Sequence, residues 1–353
     1  MRLLFAIRDA HGWAGTERVL NLVANALGPH HDVEILSLGP PPSTARGYPY
    51  SRDVKLSYLP IVGGAIGLTV ANVRAAAHIA RGGYDAVVLA GVGEIKYVLL
   101  SVLRHDTRFV AWEHFNAAYT YQRFNRRFAA KYCDAIIALT RQDAEDWERL
   151  LHPRARVCRI PNPVPRFPER ASSLDAKRIL ALGRLEDQKR FDCLIQAFAD
   201  FHLTHPDWML RIRGSGTKRE SLSLKAAELG IENCVEIADP TMAVDAEYAN
   251  AAIYAMSSEF EGFPMTLLEA MASGLPCVSF TCPNGPSEII KDGEDGFLVC
   301  PGDISALTAR LIKLADDDEL RHRMGTKARA NIQRYDIGLI AEQWMNFLRG
   351  LCL

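Results

Sequence analysis

The sequence holds no run of eighteen apolar residues, so no segment is suited to cross a bilayer as a helix. Its amino terminus, Met1-Arg-Leu-Leu-Phe-Ala-Ile-Arg-Asp9, is charged too soon to be a secretion signal, and a cytoplasmic protein is expected. The eight cysteines (133, 158, 193, 234, 277, 282, 300 and 352) form no Cys-x-x-Cys pair and match no histidine spacing. Neither a disulfide framework nor a zinc site is therefore expected, and most cysteines read as small core residues. There is no Gly-x-Ser-x-Gly elbow, no Asp-x-Asp pair beyond a strand end and no low-complexity tract.

What is present is ordinary globular material with lopsided charge. Hydrophobic residues make up 48% of the 353 and charged residues 24%, enough to build two cores. The net charge of -1 conceals a difference between halves: residues 1–165 hold 20 Lys/Arg and 14 Asp/Glu, residues 166–353 hold 21 and 28. A basic first half favours an anionic partner, such as a pyrophosphate-linked acceptor or an acidic membrane surface; uneven solvated surface is the competing reading.

Short apolar runs alternate with amphipathic stretches along the whole chain. Residues 3–7, 33–38, 85–90, 109–112 and 134–139 read as strands of one parallel sheet, with 16–27 as a helix. Residues 178–182, 208–213, 234–237, 253–256, 276–280 and 297–299 repeat the rhythm. Between them, residues 160–168 carry four prolines, which exclude helix and mark a linker. The chain reads as helical after Asp303, and its last amphipathic stretch, 337–348, is suited to pack back on the first domain.

In open parallel sheets ligands bind beyond the carboxyl ends of strands. Beyond 253–256 comes Glu259-Phe-Glu-Gly-Phe-Pro-Met-Thr-Leu-Leu-Glu-Ala-Met-Ala272, a loop feeding a helix start. Free amides and the positive end of the dipole make such a start a phosphate site, and Pro264 is tolerated there because its missing N–H costs nothing. Glu261 at the loop mouth and Glu269 about one turn inside suit the vicinal hydroxyls of sugar and ribose, since a carboxylate accepts two hydrogen bonds. The plainer alternative is that both glutamates only complement the dipole.

The segment resembles the paired-glutamate motif (Glu, seven residues, Glu) of the retaining glycosyltransferases of family 4, group 1, with Glu261 and Glu269 in full register. Leu182-Gly-Arg-Leu-Glu-Asp-Gln-Lys189 resembles the family's Gly-Arg strand end with a lysine five residues on. By that resemblance Arg184 and Lys189 grip the donor diphosphate, and an arginine fork beside a lysine point charge would neutralise it without a metal. Gly12-Trp-Ala-Gly-Thr-Glu-Arg-Val19 is similar to the family's Gly-Gly-x-x-Arg-Val element, with Ala14 in place of the first glycine and Gly15 left to approach the phosphates. A Rossmann dinucleotide loop, Gly-x-Gly-x-x-Gly, is absent there. His114, after a further apolar run, resembles the family histidine that faces the donor sugar. Gly214-Ser-Gly216 and Cys282-Pro-Asn-Gly-Pro-Ser-Glu-Ile-Ile290 resemble its glycine-rich turns.

The resemblance implies an α/β protein of GT-B fold, two Rossmann-like doubly wound domains facing a central cleft. The expected parts are an acceptor domain at 1–163, a nucleotide-sugar domain at 164–335 and a returning helix at 336–353. It implies retaining, metal-independent transfer from a nucleotide diphosphate sugar, UDP-linked by preference, to a hydroxyl of a glycan or polyprenyl-pyrophosphate-linked glycan. The setting implied is bacterial surface-polysaccharide or lipopolysaccharide biosynthesis. No cofactor beyond the donor, no metal and no nucleic acid are expected. Within the donor clamp, Glu261 takes the transferred sugar, Glu269 the ribose, and Phe263, Pro264, Met265, Thr266 and Leu267 supply backbone between them. An epimerase or phosphorolytic enzyme on the same fold and a non-catalytic partner subunit are the alternatives. Finally, residues 121–131 place Arg123, Arg127 and Lys131 at four-residue spacing beside Phe124 and Phe128. That pattern reads as contact with the cytoplasmic face of the inner membrane or as an ordinary core helix with a solvated basic face.

Overall fold

Two parallel sheets account for the apolar runs in a computed structural model that describes residues 1–43, 47–61, 64–103, 107–115, 122–165, 167–169 and 171–352. The chain divides into two units, Met1–Pro165 with Tyr335–Leu353, and Arg166–Arg334. The eight cysteines are all free. Cys133, Cys193, Cys277 and Cys282 are buried as small core residues, whereas Cys300 is exposed.

In the first unit β1 (Arg2–Ile7), β2 (Asp32–Ser37), β3 (Val54–Tyr58), β4 (Ala86–Leu89), β5 (Arg108–Trp112), β6 (Ala135–Ala138) and β7 (Arg156–Arg159) form a seven-stranded sheet. Its order is β3-β2-β1-β4-β5-β6-β7, parallel throughout. β4 and β6 are buried along their whole length because helices cover both faces, which is why they read as unbroken apolar runs. β3 and β7 were absent from the expected strands. They are the two edges, where Lys55, Ser57, Arg156 and Arg159 interrupt the apolar signal.

The helix Ile337–Cys352 completes this unit, as expected of the returning segment. It packs on the helix Gly15–Leu27. Trp344, with no exposed surface, stands 4.8 Å from the Trp112 ring and 6.1 Å from that of Phe5.

The second unit contains β8 (Arg178–Leu182), β9 (Met209–Arg213), β10 (Val235–Ala238), β11 (Ile253–Met256), β12 (Cys277–Phe280) and β13 (Gly296–Val299), ordered β10-β9-β8-β11-β12-β13. All five pairs are parallel. The helices Phe191–His202 and Ile304–Asp316 pack together over a core that includes Phe198, Phe201, Leu210 and Ile212.

Both units follow one path. The chain adds three strands outward in one direction, then returns to lay the fourth against the far side of the first. The crevices beyond β1 and β4, and beyond β8 and β11, are topological switch points, the places where open sheets take ligands.

Candidate active site

At the second unit's switch point β8 gives way at Gly183 to a turn that ends in the 3-10 segment Asp187–Lys189. β11 gives way at Ser257 to the loop that feeds the helix Met265–Ala272. Hydrogen bonds stitch the two segments together. Ser257 Oγ donates to the Lys189 carbonyl at 2.8 Å, the Glu259 N–H to the Gln188 carbonyl at 2.8 Å, and Gln188 Nε2 to the Phe260 carbonyl at 2.9 Å. Lys189 Nζ thus reaches 2.6 Å from Glu261 Oε1, with the two side chains 13% and 10% exposed. Arg184 Nη2 donates to Gln188 Oε1 at 2.7 Å, so one glutamine orients the arginine fork and anchors the glutamate loop.

Glycine makes this approach sterically feasible at two positions. A Cβ on Gly214 would lie 1.8 Å from the Gly183 carbonyl oxygen, and one on Gly183 would lie 2.8 Å from Lys189 Cε. The ends of β8 and β9 therefore pinch together, and the lysine stem crosses the backbone where no side chain stands.

The helix begins after Pro264, in extended conformation at φ -70° and ψ 112°, and no side chain caps it among the described residues. Its first-turn amides are the donors a helix start leaves for an anion. Phe263, Met265 and Leu267 are buried and present backbone, while Thr266 Oγ1 accepts from the Tyr254 hydroxyl at 2.8 Å. Glu269 is 6% exposed, and the Tyr248 hydroxyl lies 2.9 Å from its Oε2 and 3.1 Å from the Thr266 carbonyl. The loop after β12 closes against this start: a Cβ on Gly285 would meet Pro264 Cδ at 2.7 Å. Beside it, burial and the Glu261 carboxylate push the Cys282 thiol up to about 12.

In the first unit His114 lies two residues beyond β5, its ring 4.7 Å from that of Trp112. It is 8% exposed, and its Nε2 meets no hydrogen-bond partner among the described residues. Burial drives its pKa down to about 3, so the imidazole is neutral at physiological pH. Glu113 next to it accepts the N–H groups of His114 and Phe115 and pairs with Arg126 Nε at 2.9 Å. Gly15 opens the helix Gly15–Leu27 after an extended Ala14.

The basic stretch forms the helix Arg123–Tyr132, and Tyr121 lies outside the described residues. Arg123, Arg127 and Lys131 are exposed, and Phe128 packs on the core. Phe124 does not join it, being 74% exposed, whereas Arg126 turns inward to Glu113. No helix of the described residues is long and apolar enough to cross a membrane.

The fold thus brings Arg184, Lys189 and Glu261 together through Gln188, and holds Glu269 through Tyr248. Sequence reasoning passed over both of these supporting residues. Gln188 sits inside the Gly-Arg motif one place before the lysine, where its spacing could have flagged it. Tyr248 is 21 residues from Glu269 in a separate helix, and nothing local in the sequence points to it.

Residues 166–331 match the family described as "Glycosyl transferases group 1", and residues 13–166 match "Glycosyltransferase Family 4". An uncharacterized glycosyltransferase of Haemophilus influenzae is 29% identical, over 98% of this chain and 99% of its own. Among solved structures, the lipopolysaccharide outer core galactosyltransferase WaaB in its apo form superposes with a TM-score of 0.79 at 22% identity, covering 99% of both chains. Anabaena HepE in complex with UDP-glucose gives a TM-score of 0.82 at 16% identity, covering 99% of this chain and 100% of that one.

Proposed function

The chain belongs to the glycosyltransferases, a family 4 domain followed by a group 1 domain on the GT-B fold, and from that premise we propose that it is a retaining, metal-independent enzyme. It transfers a sugar from a UDP-sugar to a hydroxyl of a glycan or polyprenyl-pyrophosphate-linked glycan in bacterial surface-polysaccharide biosynthesis. The observation that carries this reading is the Lys189–Glu261 pair at 2.6 Å beside the Gln188-held Arg184, at the switch point and next to a helix start whose N-cap residue is Pro264. Solved neighbours of the same fold support the donor and the setting: one is a complex with UDP-glucose and another is a lipopolysaccharide galactosyltransferase.

Arg184 and Lys189 stabilise the diphosphate as it departs, and the helix-start amides of Met265 and Thr266 hold it. Glu261 accepts hydroxyls of the transferred sugar and Glu269 those of the ribose. His114, neutral, serves the donor sugar as a hydrogen-bonding group and not as an acid. The acceptor oxygen forms its bond to the anomeric carbon on the face from which the phosphate oxygen leaves. That phosphate oxygen keeps the bonding electron pair and takes the hydroxyl proton, so no protein nucleophile is required. Contact with an anionic inner-membrane surface in the cytoplasm is supported by Arg123, Arg127, Lys131 and the outward Phe124.

The test is nucleotide release from UDP-glucose, UDP-galactose and UDP-N-acetylglucosamine, with and without two acceptors: polyprenyl-pyrophosphate-linked N-acetylglucosamine and lipopolysaccharide core oligosaccharide. Release should depend on acceptor, and folded Lys189→Ala should lower kcat by about 10²–10³-fold, as loss of a preorganised charge does. Release as fast in the variant as in the parent would sink the assignment.

A further inference from the structure

The shared plan of the two units reaches a residue that the donor site leaves unused. β4 occupies the place in the first sheet that β11 occupies in the second, the strand laid across the switch from the first. Glu261 lies five residues beyond Met256, the end of β11, and Glu94 lies five residues beyond Leu89, the end of β4. Each glutamate is thereby carried to the carboxyl edge of its own sheet, beside the crevice that takes ligands.

Backbone around Glu94 is shaped for the carboxylate. Gly91 has φ +134°, and a Cβ there would lie 2.8 Å from Glu94 Oε2; a Cβ on Gly93 would lie 3.2 Å from the Gln122 amide. The glutamate therefore folds back over the strand end and remains partly exposed.

Its surroundings differ from those of Glu261 in one respect. Lys189 is the seventh residue past β8, whereas the seventh past β1 is Ala14, so that loop brings Glu94 no matching lysine. The charges that act on Glu94 are Arg8 from the end of β1, Glu113 from the end of β5 and Lys96 on its own turn. The helix Arg123–Tyr132 contributes Arg126, already bound to Glu113, and the helix Gly64–Gly82 contributes the uncharged Asn72 at the Lys96 carbonyl. Burial, aided by Glu113, outweighs the two cations and the backbone N–H and holds the carboxyl at about 7.

We propose that Glu94 is the acceptor-side counterpart of Glu261, a carboxylate that accepts a hydrogen bond from a hydroxyl of the glycan acceptor and positions it for transfer. The inference rests on the glycosyltransferase reading above, which assigns the donor's diphosphate and ribose to the second unit. Because the pKa is raised, the accepting, ionised form dominates above pH 7 and disappears as pH falls through that value. Acceptor binding therefore weakens on acidification, while donor binding does not follow the same curve.

The experiment uses the full chain, whichever of the two acceptors above triggers nucleotide release, and the Glu94→Gln and Glu94→Asp variants. Glu94→Gln should raise the acceptor KM about tenfold, the loss of one hydrogen bond to a charged group. It should leave UDP affinity by calorimetry at the parent value and abolish the pH dependence of acceptor kcat/KM around neutrality. Glu94→Asp, which keeps the charge on a shorter stem, should raise the KM but retain a pH-dependent profile. Parental acceptor KM and pH profile in folded Glu94→Gln would overturn the assignment while leaving donor recognition standing. A parent that binds no UDP, or releases it with neither acceptor, would overturn the underlying reading and this inference with it.

Discussion

The two units share strand direction, strand order up to the fourth strand laid down, and a glutamate five residues past that strand, yet they surround the glutamate differently. In the second unit Lys189 meets Glu261 at 2.6 Å; in the first Glu94 lacks that lysine and its carboxyl rises to about 7. The exterior differs in the same sense. Ile66, Val70, Val73, Leu100, Leu103 and Phe124 are exposed apolar side chains of the first unit, and Leu203, Leu224 and Met242 are those of the second. On the proposed reading one scaffold supports two electrostatic tasks: a lysine preset beside Glu261 is to receive the donor diphosphate, and a carboxylate without such a lysine is to receive acceptor hydroxyls.

The strongest way to break this comparison is to disable one unit and ask whether the other keeps its function. Trp344→Ala removes a fully buried indole from the first unit and should cost about 3–5 kcal/mol of its stability. Calorimetric UDP affinity in the cold should survive, and a single melting transition with loss of UDP binding would show that the units are not separable. A smaller effect concerns pH. Between His114's ordinary value of 6.5 and its folded value of about 3, the unfolded chain takes a proton that the folded chain refuses. The stability that His114 contributes is complete above 6.5 and falls by up to about 1.4 kcal/mol per pH unit on acidification. Denaturant titrations of the parent and His114→Gln at neutral and mildly acidic pH should show that slope lost in the variant. The smallest effect is Tyr248→Phe, which deletes the hydroxyl that orients Glu269. It should weaken UDP binding about tenfold or less and leave acceptor KM unchanged, a result that keeps ribose recognition within the second unit.

What could be read from the sequence follows from how each residue acts. β8 and β11 fall at residues 178–182 and 253–256, as expected, because strands buried on both faces declare themselves by composition. The edge strands β3 and β7 do not, since half of each faces solvent. Arg184 with Lys189, after β8, and Glu261 with Glu269, after β11, could be nominated from the sequence because each pair has a spacing local to its own strand-loop-helix turn. Tyr248 acts through a contact made only after separate segments meet, and Gln188 adds to its local bond with Arg184 one to Phe260 that needs the same meeting. Glu94 was invisible for another reason: its correspondence with Glu261 is positional, and appears only when strands are counted in sheet order.

The helix Ile337–Cys352 gives the chain an unusual order of assembly. The second unit is continuous from Arg166 to Arg334, whereas the first awaits Trp344 and Leu348, both fully buried in it. On the ribosome the first unit begins to emerge first but is the last to be completed, after the other has all of its strands. Until then Phe5 and Trp112 lack their partner ring, so a nascent or truncated chain exposes an aromatic surface that the finished protein hides.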